Sequence, residues 1–300
     1  MSSVSSVRLL LSFFLLTLVL AVPVFGRRSI PADNLAYPVL IVLDNKESAS
    51  GFYLSTKTHI YLVTARHVLI EQNRAKRKLA RCLSYPKDPN DPNNILLELD
   101  LHSLEKKGFV DCHKTIDAVI VRIAVKKSGE GSRIQLVKGV RRVKASAQSE
   151  IVCVSYSNTK RFDEVLVSND IFIFGYPSSI GIKEMPQLDH LRPLLRKGIV
   201  AGKNRAKRTI IIDCPTYYGN SGGPVMQAEQ VSLTQTKFAV IGFVSEYVPF
   251  KETWLNVTHK LSHWEVSNSG YSIVIPIDAV LELLPEEETK RESNVRSSGN

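Results

Sequence analysis

Gly219-Asn220-Ser221-Gly222-Gly223-Pro224, running on into Val225-Met226, sets one serine in a dense cluster of glycines just ahead of an apolar, strand-like run. Glycine admits backbone angles closed to other residues and lets a second chain approach closely. Such a loop suits acyl transfer, in which backbone N–H groups beside a serine converge on the oxyanion that develops at an attacked carbonyl. A glycine-rich turn alone is equally compatible with a purely structural role.

On both sides of this loop, short runs rich in β-branched and aromatic residues follow one another, separated by clusters of Gly, Pro, Asn, Asp or Lys. They are Tyr37 to Leu43, Gly51 to Ser55, His59 to Val63, Ile95 to Leu101 and Asp117 to Ile123, then Ile151 to Tyr156, Asp170 to Gly175, Thr209 to Asp213, Phe238 to Ser245 and Tyr271 to Ile277. The pattern predicts an all-β fold. Many runs alternate or are apolar throughout, as strands of closed barrels are. Lys126 to Glu150 is basic and, apart from Ile134, Leu136 and Val137, poor in large apolar residues, so it reads as a surface excursion or a linker between two halves. Residues 35–125 then form one antiparallel barrel and 150–277 the other, with about six strands each. Asp278 to Leu284 reads as a short terminal helix, capped by Asp278 and stopped by Pro285. Residues 286–300, charged and Ser-rich, read as a disordered tail.

The chain has 300 residues, 44% hydrophobic and 23% charged, which excludes disorder as its general state and is enough to bury a substantial core. Residues 1–26 stand apart: Arg8 precedes an uncharged apolar run from Leu9 to Phe25, and Val24 and Gly26 suit a signal-peptidase site. We expect residues 1–26 to be a signal peptide and 27–34 a linker, with the mature domain exported to the periplasm or the exterior. The alternative is an uncleaved anchor, and contact with a membrane is expected only in that case. Cleavage removes Arg8 and no acid, taking the formal charge from +10 to +9. The basic excess lies in Arg74 to Lys78, Lys138 to Lys144 and Lys203 to Arg208, between strand-like runs. These read as solvated loops, and with no recognised binding motif beside them no nucleic-acid partner is expected. Four cysteines, at 82, 112, 153 and 214, allow two disulfides in any of three pairings or four free thiols.

A serine hydroxyl needs a base. Thr64-Ala65-Arg66-His67 supplies a histidine at the end of an apolar strand, and an imidazole, with an ordinary pKa of about 6.5, can take and return a proton at neutral pH. Asp117, in Thr115-Ile116-Asp117-Ala118-Val119-Ile120-Val121, is an acid at the mouth of an otherwise apolar strand. A carboxylate there could hold the histidine tautomer and stabilise the imidazolium; its structural alternative is a turn at the start of the strand.

With these three motifs in the order His, Asp, Ser across most of residues 35 to 280, the sequence resembles the trypsin-like serine peptidases. The resemblance implies two perpendicular six-stranded β-barrels with His67, Asp117 and Ser221 in the cleft between them. It also implies oxyanion-hole N–H groups from Gly219 and Ser221, and a substrate-pairing strand at Gly242-Phe243-Val244-Ser245 whose Ser245 supports the acid. Asn220, Phe174-Gly175-Tyr176-Pro177 and Arg196-Lys197-Gly198-Ile199-Val200 look closer to the HtrA (Deg) branch, here as a single domain without the usual PDZ module. The activation switch of the digestive enzymes is not expected, because Asn220 stands where they carry an aspartate and no activation sequence lies between Arg27 and Leu43. Val68 follows His67 where those enzymes have a half-cystine, so no disulfide map carries over. Pro215 occupies the position of the trypsin pocket-base aspartate, so a preference for Lys or Arg does not carry over either; Glu246 and Tyr247 are the candidates to line the pocket entrance.

His259 and His263 have helical i, i+4 spacing but lack the glutamate of a zinc-peptidase motif, so no metal is expected. Asn256-Val257-Thr258 is a glycosylation sequon. The expectation is therefore a cofactor-free serine endopeptidase acting on protein or peptide substrates. The rival is a catalytically silent domain of the same fold that binds a protein or an anionic surface.

Overall fold

The structure, a computed structural model, describes residues 30, 32–88, 91, 93–127, 133–144, 150–178, 185–232, 235–256, 258 and 261–289. The expected signal segment, half of the linker, His259 and the centre of the sequon lie outside the described residues. The chain divides into units of residues 1–32 and 33–300, and the architecture that follows is that of the second.

Runs dense in Val, Ile, Leu, Tyr and Phe form the strands, because branched and aromatic side chains pack well on a pleated surface. The first half comprises β1 (Pro38–Leu43), β2 (Ser48–Ser55), β3 (His59–Thr64), the short β4 (Ile70–Glu71) and β5 (Arg74–Ala75), β6 (Leu79–Ser84), β7 (Ile95–Asp100), β8 (Val110–Cys112), β9 (Val119–Lys127), β10 (Arg133–Leu136), β11 (Val140–Lys144) and β12 (Val154–Ser155). Ten of these form one sheet in the order β10-β9-β3-β2-β1-β6-β7-β11, with β12 paired to β2 and β8 to β9, while β4 and β5 pair with each other. Its core is fully buried, with Val39, Ile41, Phe52, Leu54, Leu62, Leu97 and Ile120 at 0% exposure. The second half contains β13 (Asp170–Gly175), β14 (Leu194–Asn204), β15 (Thr209–Asp213), β16 (Pro224–Gln230), β17 (Thr236–Asn256) and β18 (Leu261–Pro276). These six close into a barrel in the order β13-β14-β15-β18-β17-β16. Closure is made by Ile171↔Gln227, Phe172↔Met226 and Ile173↔Val225, and Ile171, Ile173, Val200, Ile210, Ile212 and Ile241 fill the interior.

The all-β expectation holds, with differences of detail. Lys126 to Glu150, read as an excursion or linker, supplies β10 and β11, which extend both edges of the first sheet. Strand β11 is exposed except at Val140, and an edge strand of Arg and Lys carries no apolar alternation to reveal it. Strands β17 and β18 run far beyond the expected Phe238–Ser245 and Tyr271–Ile277, pairing as a two-stranded ribbon out to Asn256↔Leu261. His263 therefore sits on a strand, opposite Trp254, and not on a helix. Finally, Asp278 is the first residue of its helix (Asp278–Leu281) and not the cap; its carboxylate accepts from the Phe162 amide at 2.7 Å instead.

The basic runs are partly neutralised. Lys76 pairs with Glu47 at 2.5 Å, Arg77 with Asp44 at 3.7 Å, Arg205 with Asp163 at 3.2 Å and Arg208 with Glu282 at 2.8 Å. All four cysteines are free thiols. Burial pushes Cys82 up to about 12 and Cys214 up to about 11, which keeps both protonated.

The chain beyond Pro285, expected to be a disordered tail, instead begins with a helical turn, Glu286–Thr289, and residues 290–300 lie outside the described residues. Glu288 is buried and its carboxylate is engaged by the Thr56 hydroxyl, the His59 ring and the Tyr61 hydroxyl. Burial raises its pKa, but the hydrogen bonds from Thr56 and His59 and the charge of His59 outweigh this and hold the carboxyl below the usual range. A carboxyl depressed on folding stabilises the fold fully above its unfolded pKa of about 4.3 and loses that contribution as pH falls. Glu288→Ala, which strands those partners, should cost about 1–3 kcal/mol in urea unfolding at neutral pH. The deficit should shrink below about pH 4.

Candidate active site

The pairing of β3 with β9 positions the first two residues. Thr64 lies opposite Val119, so the chain leaving β3 and the chain approaching β9 are side by side. Ala65 turns out of β3 into a one-turn helix, α1 (Arg66–Leu69), with His67 in it. Asp117 ends the bend that leads into β9. The His67 ring Nδ1 lies 2.7 Å from Asp117 Oδ2, and the His67 backbone N–H donates to Asp117 Oδ1 at 2.9 Å. One carboxylate thus grips both the ring and the main chain of the same residue. With Nδ1 facing the carboxylate, Nε2 is the ring nitrogen left for a third group.

Two residues to which the sequence motifs assign no role hold the Asp117 loop. The Arg66 guanidinium donates to the carbonyls of His113 and Lys114 at 3.1 and 3.4 Å. The His113 Nδ1 accepts from the Ile116 and Thr115 amides at 3.0 and 3.3 Å, while its Nε2 lies 3.2 Å from Glu282. Nδ1 thus serves the loop amides and Nε2 faces the Glu282 carboxylate. Ser245, on β17, donates its hydroxyl to Asp117 Oδ2 at 3.0 Å. Burial alone would raise the Asp117 pKa; the His67 side-chain hydrogen bond and charge, the His67 amide and the Ser245 hydroxyl together hold it below the ordinary carboxylate value. The carboxylate remains charged throughout the neutral range.

Ser221 lies in the loop between β15 and β16. The loop is wound tightly: Asn220 N donates to Tyr217 O, Gly222 N to Val244 O and Gly223 N to Asn220 O, all at 2.7–2.9 Å. Asn220 Oδ1 accepts from the Tyr217 amide at 3.0 Å, a structural use for the side chain that stands in place of an aspartate. The Gly219 and Ser221 amides, by contrast, donate to no acceptor among the described residues. Two glycines are obligatory here. Gly219 has φ +93° and a Cβ there would lie 2.3 Å from Tyr176 O; Gly222 has φ +84° and a Cβ there would lie 2.1 Å from Thr64 Oγ1. The Ser221 hydroxyl donates to the Ser245 carbonyl at 3.0 Å. His67, Gly219 and Ser221 line one cavity of about 420 Å³.

The residues considered for specificity are scattered. Pro215 is half-buried and Glu246 is exposed. Tyr247 meets Tyr218 edge to face, with centroids 6.1 Å apart. None of the three lines the cavity beside Ser221. The segment carrying Pro215 is stapled to β18: Asn268 donates to Thr216 O at 2.6 Å, and Ser272 bonds Thr216 Oγ1 at 2.8 Å and Cys214 O at 2.9 Å.

Residues 49–233 match the family model of the trypsin-like peptidase domain, and the chain belongs to that family. Among solved structures it is similar to the thermostable serine protease AL20 from an extremophilic microorganism, at 12% identity and a TM-score of 0.49, over 87% of this chain and 100% of that one. It is also similar to Deg5, at 14% identity and 0.45, over 83% and 88%. A third is the HtrA-type protease AlgW with a tripeptide, at 14% and 0.45, over 84% and 62%. No curated protein sequence matches the chain. The trypsin-like fold and family make it a serine protease in broad class.

Ser50, on β2 and fully buried, fixes the serine loop against the first sheet. Its N–H donates to Ser221 O at 3.0 Å, its hydroxyl donates to Gly219 O at 2.7 Å, and that hydroxyl accepts from the Tyr176 amide at 2.9 Å. Ser50→Ala leaves a buried carbonyl and a buried amide without partners, so unfolding should show a loss of about 1–3 kcal/mol. A surface serine such as Ser157, changed to Ala, should stay within about 0.5 kcal/mol of wild type.

Proposed function

We propose that the chain is an exported serine endopeptidase that hydrolyses peptide bonds of protein substrates through an acyl-enzyme on Ser221. The observation that carries this reading is the double hydrogen bond of Asp117 to His67, braced by Ser245, beside a serine whose own amide and that of Gly219 meet no acceptor among the described residues. In this mechanism Asp117 fixes the proton of His67 on Nδ1 and stabilises the imidazolium, leaving Nε2 as the base. The Ser221 hydroxyl leaves the Ser245 carbonyl, to which it donates at 3.0 Å, and turns to His67. Nε2 takes the proton as Oγ attacks the scissile carbonyl. The oxyanion rests on the Gly219 and Ser221 amides, His67 protonates the departing amine, and water then releases the acyl group by the reverse sequence. Export is supported by the leader-like residues 1–26, and the motifs at Asn220, Phe174 to Pro177 and Arg196 to Val200 support a likeness to the HtrA branch.

A fluorophosphonate probe should label the wild-type chain, and Ser221→Ala should abolish labelling. Equal labelling of the two proteins would refute the assignment and leave the silent binding module. Asp117→Asn should lower kcat by about 10⁴-fold through the wrong histidine tautomer. Ser245→Ala removes one of several hydrogen bonds to the carboxylate and should cost only about 10-fold in kcat.

A further inference from the structure

The cavity beside Ser221 has a definite side and a definite chemistry. His67 and Val68 of α1 lie on its wall, whereas Ser245, Glu246 and Tyr247 do not. In the proposed mechanism Nε2 of His67 hands its proton to the departing amine. The chain that continues from that amine must therefore pass the His67 side of Ser221, where this cavity opens. The space is thus placed to receive the leaving half of a substrate.

Ile41, Leu43, Ala49 and Val68, all nearly buried, form an aliphatic part of its lining, and Glu47, Ser48, Lys76, Ser178 and Tyr218 add polar and charged groups. Its rim is the β1–β2 turn, held by Leu43 N to Glu47 O and Lys46 N to Leu43 O, both at 2.9 Å. Around this turn the charges do not cancel. Glu47 is bound by Lys76 and Asp44 by Arg77, and the Lys76 hydrogen bond keeps the Glu47 carboxyl ionised. Lys46, which also lines the cavity, forms no ion pair with any described residue. An aliphatic patch beside one ammonium left over once Lys76 and Glu47 have paired matches an aliphatic side chain followed by a carboxylate.

We infer that the leaving side of the site selects an aliphatic residue directly after the scissile bond and a carboxylate next to it, from an acidic side chain or from the chain's own C-terminus. This rests on the acyl-enzyme reading above. By microscopic reversibility an added amine that occupies the cavity attacks the acyl carbonyl through its nitrogen and displaces Ser221 Oγ, which regains its proton through His67. An activated p-nitrophenyl ester supplies the acyl-enzyme, and the ratio of peptide product to hydrolysis product reads the cavity alone.

With the full chain, Leu-Asp-amide should capture the acyl group at least about 10-fold better than Gly-Asp-amide, from burial of the side chain. It should exceed Leu-Lys-amide by about 3-fold at low salt, as a partly exposed charge pair allows. Leu-Ala with a free C-terminus set against Leu-Ala-amide separates the two sources of carboxylate. Lys46→Asp should reverse the order of Leu-Asp-amide and Leu-Lys-amide; aspartate tolerates the left-handed backbone at this position, where φ is +70°. Equal capture of all acceptors while the ester still turns over would overturn this inference and leave the peptidase reading intact. Absence of ester turnover together with absence of fluorophosphonate labelling would overturn both.

Discussion

The geometry of the site depends on what one small buried residue does with all of its polar groups. Ser50 sends its amide and its hydroxyl to the carbonyls of Ser221 and Gly219, receives the Tyr176 amide, and offers its own carbonyl to the Thr64 hydroxyl at 2.8 Å. Thr64 is the last residue of β3 and lies three residues before His67. The bonds of one serine thus tie the loop of the second barrel to the strand of the first sheet that delivers the histidine. Unpaired polar groups are costly in so dry a place, so the arrangement resists slippage. Gly222 is the counterpart: its missing Cβ is what lets the loop lie against Thr64 and Ser50.

Much of this was legible in the sequence because the chemistry is concentrated in short motifs. The glycine-flanked serine, the histidine after an apolar strand and the acid before another could each be read locally, and their order pointed to one family. Ser50, Arg66 and His113 could not be read this way, since their partners lie up to 169 residues away and no local pattern marks them. The outer ribbon of β17 and β18 was hidden for a different reason. Phe250, Trp254, Leu255, Leu261 and Trp264 are interspersed among charged and polar residues and are all exposed, so no inward face imposes a period of two. Glu288 was invisible because its carboxylate is held by three side chains of the β2–β3 hairpin, Thr56, His59 and Tyr61, while its neighbours spell an acidic tail.

Asp117 illustrates how opposing electrostatic effects are resolved by count. Burial disfavours the carboxylate, and an isolated acid in that place would be driven toward neutrality. Four favourable contributions, from the His67 ring bond, its charge, its amide and the Ser245 hydroxyl, turn the balance. The loop bringing the acid there is held by Arg66, the neighbour of the histidine it serves, through the carbonyls of His113 and Lys114. The orientation of the pair and its charge state therefore share one small network.

A further constraint lies in the backbone of β17. Its register against β18 shifts between Val244 and Glu246, which leaves Ser245 unpaired in the ladder. A bulge re-aims a residue that regular pairing would commit to its neighbour strand. Ser245 uses that freedom twice, giving its hydroxyl to Asp117 and its carbonyl to Ser221. One irregular residue in the second barrel thereby touches the acid of the first sheet and the serine of its own loop. Regular pairing of β17 with β18 at this point would remove the position from which both are reached, which is why the strand has to break its pattern beside the site.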